Sequence, residues 1–441
     1  MEKRPKMSNS GTTKRFKDQV YGHIELPALC VAFIDTPQFQ RLRLLKQLGA
    51  GYFVFPGASH NRFEHSIGVA WLAGVLMRRI QHCQPELKLT NMDVELVQLT
   101  GLVHDLGHGP FSHLFDSNFL KPHQLTHEDM SLYVLDHLIA DNDIDLHQRF
   151  GMDHKHCVQF IRDSISNRRD YLTENSFMLD VVHNARNGLD VDRLDYFERD
   201  ALNTGMKSSC DVDRLFSEVR VLGNEICFPV KLAEDVMAAY RTRFTLFRQV
   251  YSHKVVKSIE FMIVDSLLLA DESGEVFPWK LSLCAHTITD YCETNDDVLQ
   301  QIKRSKSTHP SALAARKLVK RLETRRLYKC VGEVPNNDPN TSWYAFTESE
   351  WKHKLVPITD ANKIRIELLE VNHGSRESHP LDGVHFYTKR DPDTIKQVDA
   401  KSTIACGPAS FQNRVVRIFV CDEDEVFTSC LLATLGNITK T

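Results

Sequence analysis

The 441-residue chain has no CxxC pair, no internal repeat, no low-complexity tract, and no run near the ~18 consecutive apolar residues that a membrane span needs. Its 11 cysteines lie scattered from Cys30 to Cys430, so they are expected as reduced core residues rather than disulfide staples. Neither sign of charge dominates: 54 Lys and Arg face 58 Asp and Glu, a net charge of -4, which excludes a general polyanion binder and requires any anionic ligand to be gripped locally. The start Met1-Glu2-Lys3-Arg4-Pro5-Lys6 lacks the apolar core of a signal peptide, and a soluble intracellular protein is expected, with no membrane partner. Lys3-Arg4-Pro5-Lys6 would serve as a short nuclear import signal, or equally as a solvated tail.

What is present is globular. Apolar residues at 42% and charged residues at 25% allow a substantial core, and the length allows two or three domains or one large domain with an appendage. Residues 1–17 read as a flexible basic arm, 18–329 as a mainly α catalytic domain, and 330–441 as a small α/β lobe. Asp35-Thr36-Pro37 opens a helix carried by Phe39, Leu42, Leu45 and Leu48 until Gly49-Ala50-Gly51 stops it. Thr90-Asn91-Met92-Asp93 resembles a capping box for a helix through Leu96, Leu99, Val103 and Leu106. Further helical spacing runs through 128–140, 188–201, 232–270 and 311–328, whereas strand-like alternation is scarce until 363–368, 384–387 and 414–421.

Nine of the 21 histidines fall between His60 and His137, which is where metal or acid–base chemistry is to be sought. His104-Asp105-Leu106-Gly107-His108 sits at the end of a strongly apolar helix, so its imidazoles and carboxylate are expected near the interior. There a metal or a partner must compensate their charge. A lone His-Asp pair would otherwise read as a surface or capping element. The spacing also has a likeness to the H-E-x-x-H zinc-protease pattern, but Asp105 is shorter than Glu, and Gly107 with Gly109-Pro110 interrupts the helix that pattern needs. Asp192, Tyr196 and Asp200, at i, i+4 and i+8, form a stripe about 12 Å long beside Arg193. That stripe is either a ligand-facing surface or a solvated acidic face. Arg243, Phe247 and Tyr251, with Lys254 nearby, form either an anion-binding wall or an ordinary amphipathic helix.

With these strings in view, the chain resembles the vertebrate SAM-and-HD-domain deoxynucleoside triphosphate triphosphohydrolases of the HD phosphohydrolase superfamily. The resemblance is carried by Gly22–Leu26, by IDTPQFQRLRLLKQL from Ile34, YFVFPGASHNRFEH from Tyr52 and GLVHDLGHGPFSHLF from Gly101. Asn187–Asp200, Tyr251–Val255 and Leu327–Glu333 extend it. It covers residues 14–333 strongly and the last lobe weakly; no SAM domain is expected ahead of it, and the last lobe is expected to stop short of the family pattern. It implies hydrolysis of a dNTP to deoxynucleoside and tripolyphosphate, with His65, His104, Asp105 and Asp192 holding one transition metal (iron, manganese or zinc) that activates water toward the α-phosphorus, and with Mg²⁺ accompanying the nucleotides. It further implies His127 or His113 as the acid that protonates the leaving 5′-oxygen, Asp116 orienting the imidazolium, and His108 on an α-phosphate oxygen. Arg62, Arg193, Tyr196 and Arg243 would contact the triphosphate, while Gln47, Leu48, Asp200 and Tyr251 would frame the sugar, Tyr251 excluding a ribose 2′-hydroxyl.

The same resemblance implies activation by nucleotides between subunits as dimers build a homotetramer. Lys14, Asp35, Gln40 and Arg43 match a site for GTP or dGTP; Val54, Phe55, Arg214, Lys231, His253, Lys254 and Arg325 match an activator dNTP site or its bridge. Departures are Arg193 for a family Lys, Ser252 for Gln, Lys17 for Asn, Pro229 for Arg, Asp235 for Asn and Gln249 for Arg; the last four lead us to expect weaker or differently selective activation. Two other classes compete: a catalytically weak paralogue that binds nucleotides or, weakly, single-stranded nucleic acid, and an HD phosphohydrolase that cleaves a monophosphate, cyclic or alarmone phosphate.

Overall fold

The computed structural model describes residues 13–168, 175–338, 341, 343–373, 378–398, 411–422 and 424–438; the Lys3-Arg4-Pro5-Lys6 cluster lies outside them. The protein is mainly α. Three helices form the frame: Arg62–Cys83, Asn91–Val103 and Val191–Thr204. Each starts where its sequence supplies an acceptor for an orphan N–H. Asn61 accepts from Glu64, Thr90 and Asp93 close a reciprocal capping box, and Asp190 accepts from Arg193. Thr126 and Asp129 do the same for the helix His127–Asp141. Among the described residues no helix is long and apolar enough to cross a membrane.

Several elements differ from the sequence expectation. Residues 14–17 are not arm but strand: Lys14–Asp18 pairs antiparallel with Gly22–Leu26, Phe16 opposite Ile24. The run expected as one helix to Leu48 is a short helix Pro37–Gln40 and a 3-10 turn Arg41–Leu44. Beyond Leu44 the chain is drawn out by pairing with the segment before Arg62: Gln47 N–H donates to His60 O at 3.1 Å, and Arg62 N–H to Leu45 O at 2.9 Å. The pattern over 232–270 is likewise divided, into Ala233–Leu246, a π-helical turn Phe247–Tyr251, and Lys254–Ser273 capped by His253.

The last third splits between two sheets. Lys329–Pro335, Gln412–Val420 and Ile364–Asn372 form an antiparallel sheet, with Gln412–Val420 central, packed with the helices Glu348–Leu355 and Glu425–Ile438. Phe386–Thr388 instead pairs in parallel with Glu225–Pro229, and Leu381, Val384 and Phe386 are buried in the main core. A segment on the far side of residue 330 therefore completes the catalytic domain's packing.

The hairpin is tied to the frame by buried charge. Arg199, fully buried, donates two hydrogen bonds to Asp195 (2.9 and 3.0 Å) and one to Asp18 (2.9 Å) at the end of the first strand. Asp195 can approach the helix Arg62–Cys83 this closely only because residue 68 is glycine; a Cβ there would overlap the Asp195 carboxylate and the Arg199 guanidinium. Replacing Arg199 by Met leaves two carboxylates without their cation and is expected to cost about 3–5 kcal/mol in urea unfolding; an Arg199→Met protein as stable as the parent would refute this role for the pair.

Candidate metal and acid–base site

The HD string is the end of the helix Asn91–Val103, where His104 caps and the chain turns through Asp105 to His108. Gly107 is required there: a Cβ would overlap the backbone of His127 and Ser131, so only glycine lets the His127–Asp141 helix pack against the string. His65 comes from the first turns of Arg62–Cys83 and Asp192 from the first turn of Val191–Thr204.

Hydrogen bonds to the outer nitrogens orient both imidazoles inward. His65 Nδ1 is 2.7 Å from Asp195 Oδ2, and His104 Nδ1 is 2.8 Å from Gly101 O. That leaves the two Nε2 atoms turned toward carboxylate: His65 Nε2 lies 3.0 Å from Asp192 Oδ1 and 3.5 Å from Asp105 Oδ2, and His104 Nε2 lies 3.4 Å from Asp105 Oδ1 and 3.5 Å from Asp192 Oδ1. His104 Nε2 is buried without a hydrogen-bond partner. Burial works against an imidazolium at His65, yet its hydrogen bonds to Asp192 and Asp195 push it up to about 10. His104 is also raised against the effect of burial, by the charge of Asp105 and by the Asp192 carboxylate 3.5 Å from Nε2. The cluster thus draws positive charge inward at a point where an N/O donor set converges, and these residues fit a divalent metal ion. Asp105 is held further by Arg62, whose Nη1 is 2.6 Å from Oδ2 and whose Nε donates to Ser112 Oγ at 3.1 Å.

A second group adjoins it. His127 Nδ1 is 2.8 Å, His113 Nδ1 3.3 Å and His108 Nδ1 3.7 Å from the same Asp116 Oδ2. Although His108, His113, Asp116 and His127 have the composition of a metal set, the His108 and His127 rings are stacked, with centroids 4.0 Å apart and planes 15° from parallel. In-plane lone pairs of parallel rings cannot meet on one ion, so this arrangement suits proton transfer. Burial lowers His127, but the hydrogen bond and charge of Asp116 raise it overall. His108 is held well below the usual imidazole range by burial and by the Arg62 charge. The side chain of His113 is 72% exposed against 20% for His127.

Both groups open on one cavity of about 260 Å³, lined by Gln47, Leu48, Arg62, Asp105, His108, His113, His127, Asp192, Tyr196, Asp200 and Tyr251. Arg193 and Arg243 are not on its lining. Arg193 is paired with Asp190, and Arg243 Nη1 donates to the Asn372 carbonyl at 2.7 Å; the charges of both act on Tyr196, whose phenol burial nonetheless pushes up to about 12. Of the expected activator residues, Lys14 reaches Asp35 (3.5 Å) and Arg43 donates to Gln40 (2.8 Å). A second group joins Phe55 to His253 through an edge-to-face ring contact, with Arg325 donating to Phe53 O beside Val54, and Lys254 3.7 Å from Glu333. Arg214 and Lys231 are engaged separately, by Asp235 (2.7 Å) and Glu218.

Sequence reasoning passed over Asp195, His60, Phe111, Ser112 and Asp296. Phe111 and Ser112 are consecutive non-glycine residues at φ +59 and +58, a strain of about 1–3 kcal/mol each. Asp296 holds them, accepting from Phe111 N–H at 2.7 Å and from Lys46 N–H at 2.9 Å; burial pushes its carboxyl up to about 6. Gly109-Pro110 signals a turn, but nothing in the sequence pairs it with a carboxylate 185 residues away.

Residues 62–200 match the HD domain family model. The chain is 36% identical to the human deoxynucleoside triphosphate triphosphohydrolase SAMHD1 over 92% of its own length and 70% of the relative's. It is 35% identical to the Gallus gallus protein of that name (94% and 73%) and 37% identical to the Dictyostelium discoideum homolog (93% and 78%). The Asp195–His65 bond offers a direct check on the metal cluster: Asp195→Asn should weaken divalent-metal binding by about 10–100-fold in a chelator competition, because it removes the carboxylate charge and leaves one acceptor oxygen to be shared between His65 and Arg199. Unchanged affinity would show that His65 needs no such support.

Proposed function

This chain belongs to the family of SAMHD1 deoxynucleoside triphosphate triphosphohydrolases, and on that premise we propose that it hydrolyses dNTPs to deoxynucleoside and tripolyphosphate in the cavity lined by Asp105, Asp192 and Tyr251. The observation that carries the reading is that a metal-type cluster (His65, His104, Asp105, Asp192), through Asp105 and Asp192, and a carboxylate-held imidazole (His127 on Asp116) reach one cavity. An ion bound at the first would supply Lewis acidity toward water and phosphate. The chain's own residues do the rest. Attack of water at the α-phosphorus breaks the bond to the 5′-oxygen, so that oxygen needs a proton and the oxygen from water leaves with tripolyphosphate.

His127 is our choice of donor over His113, because its bond to Asp116 is shorter, its ring is mostly enclosed, and Asp116 keeps it protonated above the ordinary imidazole range. His108 lines the same cavity beside Asp105, and a phosphate oxygen there would accept from whichever ring nitrogen carries its proton. Arg62 both steadies Asp105 and presents charge to the triphosphate; Tyr196, with Arg193 and Arg243 behind it, faces the same end. Gln47, Leu48, Asp200 and Tyr251 frame the sugar.

Activation is the second part of the proposal. A guanine nucleotide at Lys14, Asp35, Gln40 and Arg43, and a dNTP near Val54, Phe55, His253, Lys254 and Arg325, would assemble dimers into a tetramer. The Arg214–Asp235 pair supports a weakened form of it, since the carboxylate occupies the guanidinium that an activator phosphate would need.

Four results are expected. In ³¹P NMR with Mg²⁺, dGTP yields tripolyphosphate while GTP is left intact, and the His104→Ala/Asp105→Ala protein yields none; monophosphate or pyrophosphate release would point to another HD hydrolase. His127→Ala lowers kcat by about 10²–10⁴-fold and His113→Ala by less. Because Asp116 raises the folded pKa of His127, the acid stays charged to higher pH; Asp116→Asn should therefore move the alkaline limb of the kcat profile toward lower pH. For activation, Asp235→Asn should bring tetramer assembly, followed by sedimentation, to lower nucleotide concentrations than in the parent; an unchanged midpoint counts against the role of Asp235.

A further inference from the structure

Behind the sugar end of the cavity lies a residue that no feature of the reaction calls for. His60 is 2% exposed and is not on the cavity lining, yet its Nε2 is 2.8 Å from Oδ1 of Asp200, which is also 2% exposed. The other oxygen, Oδ2, accepts the Tyr251 hydroxyl at 2.6 Å. His60 Nδ1 is buried with no partner, and a bare lone pair is cheaper to leave there than a bare N–H, so the proton sits on Nε2 and donates to Asp200. The backbone makes a further link, because His60 O accepts the Gln47 N–H at 3.1 Å. One buried imidazole thus touches, by side chain and main chain, two of the residues that line the sugar end, and reaches a third through a carboxylate.

We propose that His60 is a positioning residue that sets the preference for 2′-deoxyribose over ribose, by fixing the Asp200 carboxylate and through it the Tyr251 ring. The proposal rests on the reading above that Asp200 and Tyr251 frame the sugar. With one oxygen held by His60 and the other by Tyr251, the carboxylate cannot turn, and its remaining lone pairs stay directed at the cavity. Tyr251 is fixed at its hydroxyl by Asp200 and along its ring by Phe247, whose centroid is 5.0 Å away. Without the His60 donor, Asp200 can rotate and carry the phenol with it, which opens the space that a ribose hydroxyl would need. Tyr251 remains a donor throughout, since burial and the Asp200 charge keep its phenol protonated.

The test compares kcat and KM for dATP and for ATP in the parent, His60→Ala and His60→Gln, with metal content measured on each protein. His60→Ala is expected to lower the dATP-to-ATP ratio of kcat/KM by about tenfold, the loss associated with one hydrogen bond to a charged acceptor, chiefly by lowering KM for ATP as the ribose hydroxyl is admitted and with metal content unchanged. His60→Gln, whose amide can still donate, is expected to recover part of the ratio. Adding Tyr251→Phe to His60→Ala should cost less than it does in the parent, since the two act on one carboxylate. An unchanged ratio in a folded His60→Ala, or equal losses for both substrates, would overturn the proposal and leave His60 a core residue; should His60→Ala not fold, the same ratio read on His60→Gln decides, an intermediate value supporting the proposal and a parental value with no KM change opposing it. If the parent hydrolyses neither nucleotide, the activity reading has failed instead, and equilibrium binding of non-hydrolysable dATP and ATP analogues to parent and His60→Ala tests the positioning by the same ratio.

Discussion

Asp195 is the carboxylate on which the rest of the structure hangs. It is fully buried, and such a charge is tolerable only because Arg199 meets both oxygens and His65 meets one. Through Arg199 it reaches Asp18 and anchors the N-terminal hairpin; through His65 Nδ1 it turns the opposite nitrogen toward Asp105 and Asp192. One side chain thus couples the packing of the first strands to the orientation of a candidate metal ligand. Burial pushes the Asp195 carboxyl up, but the Arg199 and His65 interactions outweigh it and bring it below the usual carboxylate range.

The cavity's opposite wall depends on another long-range carboxylate. Phe111 and Ser112 hold left-handed backbone that neither residue favours, and Asp296 accepts the Phe111 N–H while also holding Lys46. Ser112 Oγ in turn donates to Lys46 O and accepts from Arg62. The strained turn, the segment carrying Gln47 and the arginine on Asp105 therefore form one unit. Such strain persists where the surroundings over-determine it, and here they do so around the two histidine groups.

Much of this was legible in the residues. The capping box at Thr90 announces a helix because its hydrogen bonds span three residues of one chain segment. The HD string and the Asp192, Tyr196, Asp200 stripe were readable for the same reason: turn and helix geometry alone bring those side chains to one place, and all three stripe residues do line the cavity. The resemblance to HD triphosphohydrolases added His65, far from the string in sequence. The two hairpins, Lys14–Asp18 with Gly22–Leu26 and Arg220–Leu222 with Glu225–Pro229, were not legible, being too short for alternation to stand out.

What the sequence by itself determined is whatever local hydrogen bonding and 3.6-residue periodicity can encode: the helical frame, its caps, the donor types at residues 104–108 and the carboxylate stripe. Only the tertiary structure decided which acidic residues are partners rather than surface charge. Asp195 and Asp296 look like any other aspartate in a charged stretch, Asp200 read equally as a solvated acidic face, and the residues they hold lie up to 250 positions away. It also decided that His108 and His127 stack while His65 and His104 converge, a distinction of ring orientation that follows from how three helices and a turn pack, and that no spacing of histidines along a chain can specify.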